Sequence, residues 1–411
     1  MKAKAGLSEP SAPKIKLSER IASLRPSPTL AVTAKARELR ERGVDVIGFG
    51  AGEPDFDTPE PIIRAAHKAL EEGFTRYTAV SGIRELKEAI ARKLLRDNDS
   101  PYRPDEIIVT VGAKQAYYSV CQVLLDPGAE VIIPSPYWVS YVDIVELAGG
   151  KPVICPLREE DGFNLDPDAV EACVTPATRA VLLNSPCNPT GAVYSREAVE
   201  AVVRLAVRKG LFLITDEIYE KIIYDGAVNV CPAGLSEEAR AHALVINGFS
   251  KAYAMTGWRL GFVAGPRSVI DALETFQSQG TTNPTSFVQK AAVVAMDSPA
   301  SVLEPMVREF ERRRDVIVAG LNAIEGVRCT TPRGAFYAFP RVDGLFGREG
   351  PAGQVASSED LCRYLLEEGE IATVPGSAFG AEGHLRLSYA TSMENIQKGI
   401  DRMAQAVARL R

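Results

Sequence analysis

Between residues 105 and 264 the apolar positions come in short, nearly unbroken blocks. β-Branched and leucine-rich runs stand at 107–111, 130–134, 152–156, 180–183, 211–215, 243–246 and 260–264. Stretches with helical period separate them, among them 114–125, 196–209 and 268–279. An apolar run without polar alternation predicts a strand buried on both faces. Such strands alternating with helices predict an α/β fold with a mostly parallel seven-stranded sheet covered on both sides. In open sheets of this kind ligands bind outside the carboxyl ends of the strands.

The flanking pattern differs. Residues 17–25 make an amphipathic turn or two, and helices are expected over 30–43, 60–73 and 83–96. An apolar strand-like run at 44–50 breaks into turn chemistry at 51–59. Beyond about residue 297 a long helix is expected over 305–324, whose charge run at 309–315 reads as a solvated face. Strands at 327–330, 335–339, 371–374 and 384–389, a Gly-rich loop at 344–357 and a closing helix from 392 complete an α+β pattern. The expected division is a disordered tail (1–16), an N-terminal segment of a small domain (17–50), a large domain (51–297) and a C-terminal small domain (298–411).

Composition narrows the classes. A chain of 411 residues can bury two cores. With a net charge of −6 there is no electrostatic reason to expect nucleic acid or an anionic membrane as partner. No apolar run approaches the roughly 20 residues of a bilayer span, and the first 16 residues lack the apolar core of a secretory signal. Seven cysteines without a Cys-x-x-Cys pair suit reduced thiols in a cytoplasmic protein. The three histidines, His67, His242 and His384, are too scattered to suggest zinc or a histidine-based triad.

The candidate chemistry lies just past the predicted strands. Gly112, Ala113 and Lys114 open a helix, whose N-terminal N–H groups suit a phosphate, although a tight turn explains them equally. Trp138 follows another strand and can stack on a planar ring or fill the core. The stretch Asn184-Ser185-Pro186-Cys187-Asn188-Pro189 offers amides to a ligand oxygen, or is simply a stiff turn. Asp216 ends an apolar run, where a carboxylate either needs a partner such as a protonated ring nitrogen or caps the next helix. Residues 247–261, NGFSKAYAMTGWRLG, place Lys251 between Ser250 and Arg259. Serine and arginine can hold an anion there while the lysine anchors an aldehyde, although a lone lysine is more often a surface residue. A phosphate, a flat ring, a protonatable nitrogen and an aldehyde together describe pyridoxal 5′-phosphate.

With the motifs AGEPDFDTP, RYTAVSGI, VTVGAKQA, SPYWVSY, NSPCNPTGAVY, DEIYE, SKAYAMTGWRLG and HLRLSYATS, the chain resembles the fold-type I pyridoxal-phosphate aminotransferases. The likeness is to the class I aspartate aminotransferases of the bacterial Ib subgroup and extends from about Leu17 onward. It implies that Lys251 binds the cofactor covalently and that Asp216 pairs with the ring nitrogen. Tyr219 and Asn188 would meet the phenolic oxygen and Trp138 the ring, while Gly112, Ala113, Ser250 and Arg259 would hold the phosphate with Lys114 close by. Tyr77 would reach the phosphate of a second subunit in a homodimer with shared sites. Arg386 would grip the substrate α-carboxylate beside the backbone at Gly52, and Lys114 a second carboxylate, helped by Ser27 and Thr29. Alternatively Lys114 faces solvent. The implied reaction is ping-pong transfer of an amino group between L-aspartate and 2-oxoglutarate, with prephenate as a bulkier acceptor near Arg25. An aromatic or neutral amino-acid specificity is the alternative within the family. A lyase or a non-catalytic regulator on the same fold is a more distant one.

Overall fold

The computed structural model describes residues 16–22, 24, 28–351 and 353–411. Residues 1–15, Arg25 and Ser27 lie outside these, and the side chain of Thr29 is likewise not described. A two-residue strand, β1 (Ile47–Gly48), precedes the seven that build the central sheet. These are β2 (Ile107–Thr110), β3 (Glu130–Ser135), β4 (Lys151–Pro156), β5 (Thr178–Asn184), β6 (Phe212–Asp216), β7 (Ala243–Gly248) and β8 (Gly261–Ala264). Their order is β2-β8-β7-β6-β5-β3-β4. Only β8 runs against its neighbours, pairing antiparallel with both β2 and β7.

Alternate residues of every strand except the edge strand β4 feed different cores, which is why these strands read as continuous apolar runs. Ile108, Leu244, Ile246 and Val263 pack under the helices Ala113–Leu124 and Arg267–Gln279. Ile107, Val109, Val245 and Phe262 face the helices Glu60–Glu71, Arg84–Asn98 and Ser286–Asp297. Farther along that face, Val181, Leu183 and Leu213 pack on the helix Arg196–Lys209. The sequence pattern singles out neither Ser140–Leu147 nor Ser286–Asp297, both of which are helical.

The C-terminal part packs around the long helix Glu304–Asn322 and a three-stranded antiparallel sheet of Val374–Pro375, Leu385–Ser388 and Tyr337–Ala338. β1 joins this part through a parallel pairing of Ile47 with Ile371. Phe49 enters the same core as Ile218, Tyr219 and Phe336.

Two expectations are corrected here. Residues 327–330 form no strand, because the side-chain amide of Asn322 takes both backbone groups of Cys329. Only an isolated bridge between Arg328 and Arg341 is left. The charge run at 309–315 is only partly a solvated face: Arg312 and Asp315 are exposed, but its centre is not. Arg313 and Arg314 are buried, the first donating to Asp55 at 2.7 Å and the second hydrogen-bonded to Asp225 and to the Pro332 carbonyl. Among the described residues no helix is long and apolar enough to cross a membrane.

Candidate active site

The parallel strands β2, β3, β5, β6 and β7 all end on one edge of the sheet. Reversed, β8 starts at that same edge, where Gly261 pairs with both Thr110 and Gly248. Gly261 must lack a side chain: a Cβ there would come within 2.7 Å of the Ala113 nitrogen. The start of β8 can therefore press against the N-terminus of the helix Ala113–Leu124. Gly112 caps that helix in the left-handed region, at φ 82°, which glycine adopts without cost. A Cβ on Gly112 would sit 2.8 Å from the Arg259 guanidinium. Helix N-terminus, Arg259 and the buried Ser250 thus converge on one place.

A cavity of about 350 Å³ opens over these strand ends. Gly52, Ala113, Lys114, Trp138, Asn188, Asp216, Tyr219, Ser250, Lys251, Arg259 and Arg386 all line it. Every residue expected at the site and described here is in it or adjoins it, except Tyr77. That side chain is 88% exposed and lies apart, by a second cavity with Asn283 and Phe287.

Asp216 is buried at the end of β6. Its carboxylate accepts from the Tyr141 hydroxyl at 2.7 Å and from the Ile218 N–H at 3.2 Å. The second bond is the capping role that the sequence left open, of a turn rather than a helix, so capping and facing the cavity coexist. Burial raises its pKa despite these donors, which favours a cationic group beside it. Lys251 donates to the Gly52 carbonyl. Burial, opposed by Glu53 and reinforced by Arg386 and Arg259, lowers its pKa to about 8. A useful share of the amine is then neutral and nucleophilic near pH 7.

Asn184 ends β5, on the other side of Asp216 from Lys251. Its side chain donates to the Asp216 carbonyl and accepts from the Asn188 N–H, both at 3.0 Å. Asn188 in turn accepts from Arg386 at 3.1 Å. Arg386 lies between Tyr337 and Phe379, 4.6 and 5.0 Å from their ring centres, and donates to the Gly50 carbonyl at 2.9 Å. Its Nε is buried without a partner. Tyr219 and Tyr337 share a hydrogen bond of 2.8 Å between their hydroxyls. Trp138 meets Tyr141 edge-on, and the Lys114 ammonium sits 4.8 Å above the indole. Solvent also reaches Lys114.

Tyr141 and Tyr337 escape the sequence reading, whereas Asn184 is one of the two amides it offered. Tyr141 sits at an apolar position of a short helix and resembles core, while Tyr337 lies in a strand of aromatic residues.

These groups fit pyridoxal 5′-phosphate. The Gly112 turn and Arg259 offer a phosphate cradle, Asp216 a buried carboxylate and Lys251 an amine of lowered pKa. The family model for aminotransferase class I and II matches residues 44–403.

The chain belongs to the class I and II aminotransferases.

This aminotransferase is 47% identical to the aspartate aminotransferase of Geobacillus stearothermophilus, over 95% of this chain and 98% of the relative. It is 46% identical to the aspartate/prephenate aminotransferase of Nitrosomonas europaea, over 96% and 100%. Among solved structures, the aspartate aminotransferase from Rhizobium meliloti superposes with a TM-score of 0.94 at 46% identity, covering 97% of this chain and all of that one. Class I and II aminotransferases of this kind work with pyridoxal 5′-phosphate.

Proposed function

We propose that the chain transfers the amino group of L-aspartate to 2-oxoglutarate and also accepts prephenate. The observation that carries this reading is the charge of the cavity. Lys114, Lys251, Arg259 and Arg386 line it against a single carboxylate, Asp216, among the described residues. One cation is used by the aldehyde and one by the phosphate. Two remain, which suits a substrate with two carboxylates. The names of the two relatives quoted above support aspartate and prephenate.

In this reading Arg259, Ser250 and the N–H groups at Gly112 and Ala113 hold the phosphate. Asp216, oriented by Tyr141, keeps a proton on the ring nitrogen. Tyr219 and Asn188 face the phenolic oxygen, and Trp138 covers the ring. Bound pyridoxal 5′-phosphate supplies an aldehyde and an electron-accepting ring. Arg386 turns its unpartnered Nε and an adjacent N–H to the α-carboxylate as a fork, which lysine cannot imitate. Lys114 meets the distal carboxylate. With the substrate so fixed, the Lys251 amine takes the proton from Cα.

The division into residues 51–297 and 298–411, with 17–50 joined to the latter, belongs to the same reading. The pairing of Ile47 with Ile371 and the cluster of Ala36, Val46 and Ala372 support it. A homodimer in which Tyr77 serves the phosphate of the other copy is part of this reading too, since its ring is exposed and does not line the site cavity of its own chain.

A substrate panel tests the reading: aspartate, glutamate, tyrosine and alanine as donors against oxaloacetate, 2-oxoglutarate and prephenate. Aspartate with 2-oxoglutarate should dominate, and Lys114→Ala should cost dicarboxylic donors roughly tenfold or more in kcat/KM. Preference for tyrosine or alanine, or full aspartate activity in Lys114→Ala, would overturn it. Prephenate turnover below about one percent of the oxaloacetate rate would remove the second substrate.

A further inference from the structure

The segment after β6 is two-sided. Asp216 and Tyr219 face the cavity, while Glu217 and Glu220 turn into the protein behind it. There Glu220 meets the ammonium of Lys93, from the helix Arg84–Asn98, in a pair with 3% and 8% of the two side chains exposed. Asn98 donates to the other Glu220 oxygen at 2.9 Å and accepts from Lys93 at 2.7 Å. Asn247, in β7, donates to Glu220 at 2.9 Å and uses its own side-chain oxygen to accept from the Gly248 N–H. Glu217 accepts from Thr215 at 3.1 Å, and Asn98 and Asn229 lie 3.4 Å from its other oxygen.

The cluster thus holds two carboxylates and one strong cation at its centre. Burial, then the charge of Glu220, raises the pKa of Glu217. Burial works on Glu220 too, but Lys93 and then Lys221 outweigh it and hold that carboxyl down. Cys231 and Tyr102 also face Glu217. The charge of Lys93 is matched by Glu220, the carboxylate bonded to it directly.

Burying such a pair is costly and seldom favourable in itself, so stability does not explain it. Its connections do. Glu220 touches both strand ends that carry the reacting groups, β6 leading to Asp216 and Tyr219, and β7 leading to Ser250 and Lys251. We propose that Glu220, clamped by Lys93, Asn98 and Asn247, is a positioning residue that fixes the Asp216 strand end against the Lys251 loop. The inference rests on the aminotransferase reading. It acts through backbone placement, and Glu220 itself touches neither substrate nor cofactor.

Glu220 only accepts, and from three donors. Glu220→Gln keeps the shape but turns an N–H₂ toward at least one of them. The test loads the purified full-length variant with pyridoxal 5′-phosphate and follows the bound cofactor's absorption against pH, alongside cofactor affinity and steady-state kinetics. We expect the absorption midpoint to move by about half a pH unit or more. We also expect kcat to fall roughly tenfold while KM for the amino donor stays within about threefold. A merely structural role lowers Tm and leaves the midpoint in place. A folded Glu220→Gln with an unchanged midpoint and kcat within about twofold of wild type overturns the proposal. Should that variant not fold, Asn247→Ala cuts the link between Glu220 and β7, together with the local bond to the Gly248 N–H, and must show the same displacement, or the proposal falls. The absorption midpoint is read without any substrate. A failure of the aspartate assignment is therefore seen in wild type, separately from a failure here.

Discussion

An amine enclosed near two arginines has its chemistry set by its surroundings before any ligand arrives. Lys251 has its folded-state pKa lowered to about 8 by burial, against about 10.4 for a free lysine. Between these values the unfolded chain binds more protons than the folded one, so stability rises with pH through that window. At pH 7 the cofactor-free protein carries the full penalty, about 2 kcal/mol once solvent access to the ammonium is allowed for. Lys251→Met should therefore unfold at higher urea than wild type at pH 7, and the difference should vanish above about pH 10. Tyr141 tests the opposite wall. Removing its hydroxyl in Tyr141→Phe takes a 2.7 Å donor from buried Asp216 and should lower kcat about tenfold. Titration of the bound cofactor's absorption should shift alongside. The residues that react were legible in the sequence, because glycines, a lysine and an aspartate placed after apolar runs are chemically conspicuous. Their supports were not. Tyr141, Tyr337, Glu217 and Glu220 differ from ordinary core or surface residues only by the partners that folding brings to them.

At the scale of elements, strands were read well because burial on both faces leaves an unbroken apolar block. The charged helix was misread at Arg313 and Arg314 for a physical reason. Periodicity reports which residues avoid water, and a buried arginine satisfied by carboxylates breaks that rule. Arg313 reaches out of the helix Glu304–Asn322 to Asp55 and bonds Glu309 one turn back along the same helix, with Phe56 and Phe310 flanking its guanidinium at 5.1 and 5.7 Å. Asp55 belongs to the turn that carries Gly52. Arg313→Ala leaves Asp55 without this partner and opens a hole between two rings. The loss should be roughly 3 kcal/mol in urea unfolding. Because the Gly52 turn loosens with it, KM for the amino donor should rise more than kcat falls. The missing strand at 327–330 has a similar origin, since one side-chain amide, that of Asn322, competed successfully for backbone groups that a ladder would have used.

For the whole molecule, a chain that keeps Tyr77 outside its own site makes a sharp prediction about mixing. Lys251→Ala and Tyr77→Phe homodimers should each be impaired, the first completely. A hybrid dimer has one site combining intact Lys251 with the intact Tyr77 of the second copy. It should recover about half of wild-type activity per dimer, the other site being dead. If co-refolded mixtures show only the average of the two parents, the sites are not shared. The antiparallel β8 has its own consequence at this scale. A parallel successor to β7 would require the chain to cross to the far edge of the sheet and return. Reversal lets residues 249–260 form a single connection between β7 and β8, so Lys251 and Arg259 hang from one loop on either side of the short 3-10 turn Thr256–Trp258. That loop is a gauge. Its span sets the separation between the amine and the guanidinium, and hence the length of molecule that can bridge them. One residue inserted or deleted there would recalibrate the site for a ligand of another size.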